Sequence, residues 1–286
     1  MSVEKGALSL WWRVVKQRLR VGALSLLGPK AKYVYVQSGD MGYLVDPADN
    51  HVSRQLLKTS FYNSEELARY ANLIKKRDRV LVVGGHIGSI ALPFAKLCRH
   101  VSIIEANPET FEVLNLNLRL NQLENVSLFQ FAAGSANGHV DFVMSSENSG
   151  GSKIFPRDRA QHYLYDNPEL TTVDLRRIDD MFSEKFDVVL MDIEGSEYAA
   201  IAGAKETLRF ARVFICEYFP NHLRDIAGAN AEEFAALVED LGFDLVEFPK
   251  LRWSGCGKAD LVQRFLEVDR LGSTEDGIIF QRVTDG

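Results

Sequence analysis

The sequence predicts an α/β chain built on a doubly wound, mostly parallel sheet with helices on both faces. Three observations predict it. Short apolar runs alternate with helix-compatible segments from Arg79 to the late stretch GIIFQRV. The first run, VLVV, passes directly into a glycine turn, Gly84-Gly85-His86-Ile87-Gly88, and then into small residues that suit a helix. Acids stand just after two of the runs, Glu105 after VSII and Asp192 after VVLM, where open parallel sheets bind their ligands.

The elements follow in order. FYNSEELARYANLIKK spaces Asn63 and Glu66 as N-cap and N3, with Leu67, Tyr70, Ala71 and Ile74 at helical intervals. VLVV is the first strand and VSII the second. Asn107 and Pro108 open a helix as N-cap and first residue, with Phe111, Leu114 and Leu118 as its expected buried stripe. VSLFQFAAG is the third strand, and HVDFVM reads as a hairpin or edge addition. FDVVLMDIEG and ARVFICEYF supply the fourth and fifth strands, with a helix from about Tyr198 to Phe210 between them. AEEFAALVEDLGF is a helix with Phe234, Leu237, Val238 and Leu241 on one side and Gly242 as terminator. FDLVEF and GIIFQRV are the last strands. Residues 145–170, rich in Ser, Gly, Asn, Pro and charge, interrupt the alternation and read as a lid-like insertion. The expected organisation is an N-terminal helical or extended region over 1–60 and a catalytic domain over 61–286.

Composition narrows the function. A chain of 286 residues is long enough for a full core, and its net charge of −6 argues against nonspecific nucleic-acid affinity, so no nucleic-acid partner is expected. Cys98, Cys216 and Cys256 are widely separated with no CxxC pair, which suggests neither a zinc site nor a disulfide framework and fits a reducing, cytoplasmic compartment. The first 32 residues oppose seven Lys or Arg to the single acid Glu4, and LSLWWRVVKQRLRVGALSLL can form an amphipathic helix with Trp11, Val14, Val15 and Leu19 along one face. Charges interrupt it too often for a membrane span. Two uses stay open: packing on the domain or in a homo-oligomer interface, and peripheral contact with anionic lipid or a partner.

The glycine turn is not a P-loop, because Gly88 is followed by Ser89 and Ile90 and not by lysine and a hydroxyl. It fits the dinucleotide fingerprint poorly, with His86 and Ser89 at the third and sixth positions. Glu105 can accept both hydroxyls of a ribose, a geometry that serves NAD and S-adenosylmethionine alike. The segment VVLMDIEGSEYAAIAGA sets Asp192, Glu194 and Glu197 around Gly195 after an apolar strand. Such carboxylates take a proton from a nucleophile, hold substrate hydroxyls or bind a hard cation.

The combination VLVVGGHIGS, VSIIEANPETFEVLNLNLRLN, FAAG, TTVDLRRID, FDVVLMDIEGSEYAAIAGA and VFICEYF, over roughly residues 60 to 248, resembles the FkbM family of S-adenosylmethionine-dependent methyltransferases. The resemblance implies a class I, Rossmann-like methyltransferase sheet of seven strands, the last antiparallel, behind the N-terminal helical extension. It implies methyl transfer to a hydroxyl oxygen, with sugars, glycoconjugates or natural-product scaffolds as acceptors. Carried over by position, Gly84, Gly85, His86 and Gly88 would touch the methionine part of the cofactor, Glu105 the ribose, Ala106 and Asn107 the adenosine, and Ala132 and Ala133 the adenine side. Asp192 would face the reacting centre. The family commonly reads D-x-G-A-N-x-G at the turn, whereas this chain has Val82 for the acid, Gly85 for the alanine and His86 for the asparagine.

An aliphatic hydroxyl is a poor nucleophile at neutral pH and benefits from a base or a metal. Asp192, with Glu194 or Glu197, is the candidate catalytic group, and Glu217 at the end of the fifth strand could complete a carboxylate cluster. Mg²⁺ is a candidate for that cluster, with Asp192 and Glu217 as ligands; in the metal-free alternative Glu194 and Glu197 cap the following helix. In the insertion, Lys153, Arg157 and Arg159 can meet an anionic acceptor, and Phe155, Tyr163 and Tyr165 can stack on a sugar ring. Two rival functions stand beside the methyltransferase: an NAD(P)-dependent oxidoreductase, and a non-catalytic binding protein on the same fold, motivated by Val82 and the basic N-terminal segment.

Overall fold

The computed structural model describes residues 32–145, 147–157, 163–164, 166–255 and 258–283. The amphipathic N-terminal helix, Arg159, His162, Tyr165 and Cys256 lie outside the described residues. The described residues open with an antiparallel hairpin, β1 (Val34–Ser38) and β2 (Met41–Val45), followed by helices α1 (Val52–Thr59) and α2 (Ser64–Ala71). The parallel order then begins: β3 (Arg79–Val83), the single turn α3 (Ala91–Phe94), β4 (His100–Ile104), α4 (Pro108–Leu120) and β5 (Val126–Phe129). Next come β6 (Ala132–Ala133), β7 (Gly138–Met144), β8 (Lys153–Ile154) and β9 (Glu169–Arg176), then α5 (Ile178–Met181). The second half runs β10 (Val188–Met191), α6 (Glu197–Ala202), α7 (Lys205–Phe210), β11 (Val213–Tyr218), α8 (Pro220–His222), α9 (Ala231–Glu239), β12 (Leu245–Phe248), β13 (Trp253–Gly255), α10 (Lys258–Arg270) and β14 (Glu275–Gln281).

The large sheet has the order β13-β12-β14-β11-β10-β3-β4-β5. β5, β4, β3, β10 and β11 are parallel neighbours, and β14 lies antiparallel between β11 and β12. This is the expected doubly wound sheet of seven strands with the last antiparallel, extended by the edge strand β13. Its central strands are apolar throughout because both faces are covered. Val80, Val82, Val188 and Leu190 pack with the hairpin, α1 and α4, while Leu81, Val83, Val189 and Met191 pack with α6, α9 and α10. Among the described residues no helix is long and apolar enough to cross a membrane.

Several local expectations are corrected. The third strand is two: β5 belongs to the large sheet, and β6 starts a second sheet of order β6-β9-β7-β8. HVDFVM is the antiparallel partner of β9, an eight-residue strand whose mixed residues hide the period-two signal. The helix expected from Tyr198 to Phe210 breaks at Gly203, where a Cβ would stand 1.9 Å from the Gly134 carbonyl oxygen. In α4 the buried face is Thr110, Val113, Leu114 and Asn117; of the expected stripe Leu114 is buried and Leu118 packs half-buried on the same core, while Phe111 is only partly covered. Asn117 and Asn121, four residues apart on that helix, dock the hairpin: Asn117 Oδ1 accepts from Leu44 N at 2.6 Å, and Asn121 Oδ1 from Gly42 N at 2.8 Å.

Candidate active site

A cavity of about 280 Å³ opens at the carboxyl ends of β3, β4, β10 and β11, at the lower edge of small-molecule site volumes. Backbone packing explains the glycine turn at its floor. Gly84 has φ +93°, and a Cβ there would stand 1.8 Å from the Asp192 carbonyl oxygen; at Gly85 a Cβ would meet Ile103 at 2.2 Å. The turn is drawn onto β4 by hydrogen bonds from Gly84 N and Gly85 N to the Ile104 carbonyl, 2.9 and 3.0 Å.

Glu105 is buried at the end of β4. Its Oε2 accepts from His86 N and its Oε1 from Asn107 N, both at 2.7 Å, so the carboxylate fastens the glycine turn to the start of α4. Burial raises its pKa, and these backbone donors oppose the shift. The Thr110 hydroxyl and Ala106 N also stand close enough to favour its ionised form. Beside it, Ala106, Phe131, Ala132, Ala133 and Phe142 form an apolar slot in the cavity wall.

The opposite end of the cavity holds carboxyl groups. Asp192 follows β10, and Glu217 stands in β11 where its register against β14 shifts between Cys216 and Glu217, a bulge of the kind that re-aims side chains beside sites. Burial, then repulsion from Glu194, pushes Asp192 up to about 8, while a hydrogen bond from Glu217 favours its ionised form. Glu217 is raised well above the usual carboxylate range by burial and by Asp192. The two groups share protons: Glu217 stays protonated and donates to Asp192. The other Glu217 oxygen, Oε2, is buried without a hydrogen-bond partner among the described residues, as is Ser196 Oγ in the cavity wall.

Glu194, at φ +54°, also lines the cavity. Burial raises it, and Lys153 Nζ at 3.6 Å opposes the rise. His222 Nδ1 lies 3.5 Å from the same oxygen; burial, then Lys153, lowers His222 to about 4, so it is neutral there. Glu197 does not reach the cavity. Its Oε1 accepts from Ile193 N at 2.9 Å and its Oε2 from Gly195 N at 2.8 Å, which corrects its assignment as a catalytic group: it holds the loop that carries Asp192.

Of the other expected site residues, Gly84, Gly85, His86, Glu105, Ala106, Ala132, Ala133 and Asp192 share the cavity, while Gly88 and Asn107 lie outside its lining. Gly88 packs against Leu92 and Leu114. Asn107 caps α4, accepting from Glu109 N at 2.9 Å. Lys153 is engaged with Glu194, and Arg157 is exposed away from the cavity. Among the described residues no group of three or more His, Cys, Asp or Glu side chains is arranged as a metal site. Nothing among them supports the expected Mg²⁺, an ion that calls for near-octahedral oxygen ligands.

Sequence reasoning missed Glu66, His51, Ser149 and Asp276 in the lining. Glu66 carried a signal misread as a cap: Asn63 donates to its Oε2 at 2.7 Å instead of capping a backbone N–H, and the Tyr70 hydroxyl donates to Oε1, so the carboxyl is presented to the cavity. Asp276 pairs with Glu217 across β11 and β14, a proximity that follows only once β14 is known to run antiparallel.

Residues 83–245 match the sequence profile described as the methyltransferase FkbM domain. The 2-O-methyltransferase NoeI of Sinorhizobium fredii (strain NBRC 101917 / NGR234) is 29% identical over 167 residues, covering 53% of this chain and 68% of that protein. Among solved structures, M. jannaschii TYW2 in complex with AdoMet aligns with a TM-score of 0.44 and 16% identity over 88% of each chain. The methyltransferase FkbM from Methylobacillus flagellatus KT aligns with a TM-score of 0.42 and 14% identity, over 80% of this chain and 52% of that one.

Proposed function

This chain belongs to the FkbM methyltransferase domain family and is a methyltransferase, and we propose that it moves the methyl group of S-adenosylmethionine to a hydroxyl of a sugar, glycoconjugate or natural-product acceptor. The observation that carries this reading is the carboxyl pair Asp192 and Glu217 on adjoining strands, facing the cavity beside the glycine turn.

Three features support the cofactor. Glu105 stands at the end of β4 as a carboxylate in the cavity lining, the group a ribose diol donates to. The apolar lining from Ala106 to Phe142 suits a purine face in its chemistry. Ser196 Oγ and Glu217 Oε2 are buried polar atoms in the cavity lining with no hydrogen-bond partner among the described residues, and a polar ligand group could satisfy them.

When bound, S-adenosylmethionine supplies a sulfonium methyl that reacts by in-line displacement. The protein's part is alignment and proton removal. Asp192 ionises as the pH passes about 8, and the hydrogen bond from Glu217 favours that ionised form. Asp192 then takes the proton of the acceptor hydroxyl as its oxygen attacks, and the pair, now holding two protons, releases one to water as the methyl ether leaves. Glu194, Glu66 and Asp276 are placed to accept hydrogen bonds from other acceptor hydroxyls.

The test uses S-adenosylmethionine labelled in its methyl group and a panel of deoxyhexoses, hexosamines and their oligosaccharides. Label recovered as a methyl ether, and lost with Asp192→Ala, supports the proposal. Folded protein that binds neither S-adenosylmethionine nor S-adenosylhomocysteine refutes it and favours a non-catalytic binding protein.

A further inference from the structure

The glycine turn lacks an acceptor where its family commonly carries an acid, since position 82 is valine, and a carboxylate from elsewhere in the chain takes part in the turn instead. Asp49, in the turn before α1, is buried. Its Oδ2 accepts from Ser149 N at 2.9 Å and from the Ser149 hydroxyl, and its Oδ1 accepts from Ser53 N at 2.9 Å. Burial alone would raise Asp49, but the Ser149 hydroxyl and the backbone donors hold it below the usual range, so it is ionised.

The direction of the next bond follows from proton counting. A serine hydroxyl has one proton, and that of Ser149 goes to Asp49. Ser149 Oγ can then only accept from His86 Nε2, 2.8 Å away. His86 is therefore the Nε2–H tautomer, with a bare lone pair on Nδ1, in a ring that lines the cavity.

We propose that Asp49 and Ser149 are positioning residues that lock His86 in the Nε2–H form, so that Nδ1 accepts a hydrogen bond from the ammonium of the cofactor's methionine part in place of the carboxylate absent at Val82. This rests on the reading of the protein as an S-adenosylmethionine enzyme. Burial favours the neutral ring the role requires, lowering His86 to about 4. The insertion turn that carries Ser149 has other anchors, Asn50 N to the Glu147 carbonyl at 2.8 Å and Asn107 Nδ2 to Ser152 Oγ at 3.1 Å, so breaking the relay leaves the turn in place.

Asp49→Asn tests it by inverting the relay. The asparagine keeps an acceptor for Ser53 N, but its amide, standing where Oδ2 was, gives up the bond from Ser149 N and donates to Ser149 Oγ. The hydroxyl proton then turns to His86 Nε2 and the ring proton moves to Nδ1, converting acceptor to donor. Nitrogen NMR of the full-length, histidine-labelled protein should show His86 protonated at Nε2 in the wild type and at Nδ1 in the variant. By calorimetry, S-adenosylhomocysteine, which has the ammonium, should bind roughly 10- to 100-fold more weakly to the variant. Methylthioadenosine, which lacks the amino-acid part, should bind both proteins equally, and Ser149→Ala should weaken S-adenosylhomocysteine selectively as well.

Equal losses for the two ligands would mean that the chain only tethers the insertion, and would overturn the proposal, as would a wild-type His86 protonated at Nδ1. Folded wild type that binds neither ligand defeats the cofactor reading itself, and this proposal with it. Should Asp49→Asn not fold, the ligand selectivity of Ser149→Ala decides.

Discussion

Replacing Asp192 by asparagine should stabilise the protein while abolishing turnover. Burial and Glu194 move this carboxyl from 3.8 to about 8, so the folded state keeps a proton that the unfolded chain releases near pH 4. The sign follows: the folded pKa is raised, so the stability it carries is full below about pH 4 and is lost as pH rises to about 8. Each pH unit in that window costs at most about 1.4 kcal/mol. Asp192 is half-buried and opens on the cavity, and screening there leaves on the order of 1 kcal/mol per pH unit. Asparagine does not titrate and escapes the loss. Urea unfolding at about pH 5 and about pH 8 should therefore show the variant's advantage growing by on the order of 2–3 kcal/mol. Turnover should fall by about 10²- to 10⁴-fold, with S-adenosylhomocysteine affinity unchanged. A stability difference that does not vary with pH, or a variant less stable at the higher pH, would refute the buried, proton-sharing pair.

Three further outcomes are expected. The wild-type kcat should rise with pH through about 8, because Asp192 acts when ionised; a rate–pH profile flat across that region contradicts the assignment. Gly84→Ala places a Cβ 1.8 Å from the Asp192 carbonyl oxygen at φ +93°, and a calorimetric melt should show a loss of about 3 kcal/mol or more. Glu105→Gln sets an amide donor against His86 N or Asn107 N, both of which need an acceptor, and titration should show S-adenosylhomocysteine affinity reduced roughly 10-fold or more.

The residues that sequence reading placed well are those whose position is set by the strand they follow. β3, β4, β10 and β11 are apolar on both faces, so their ends, and with them Gly84, Glu105, Asp192 and Glu217, follow from hydrophobicity alone. Glu197 was misassigned because three acids in six residues say nothing of direction. Glu194 at φ +54° and Gly195 at φ +103° reverse the chain, which turns Glu197 onto the backbone and leaves Glu194 at the cavity. Asp49, Glu66 and Ser149 reach the site from segments that carry no strand-end signal, one before α1, one on α2 and one in the insertion. Their convergence is a tertiary fact, as is the pairing of Asp276 with Glu217. The edge strand β13 and helix α10 escaped notice because the strand is three residues long and the helix is richly charged.

The central claim is most directly tested by a crystal structure of the protein with S-adenosylhomocysteine. The account predicts the adenine against Phe131, Ala132 and Ala133, the ribose hydroxyls on Glu105, the homocysteine part along Gly84 to His86, and the sulfur facing Asp192. Density for the ligand outside this cavity, or none at a saturating concentration, would contradict it.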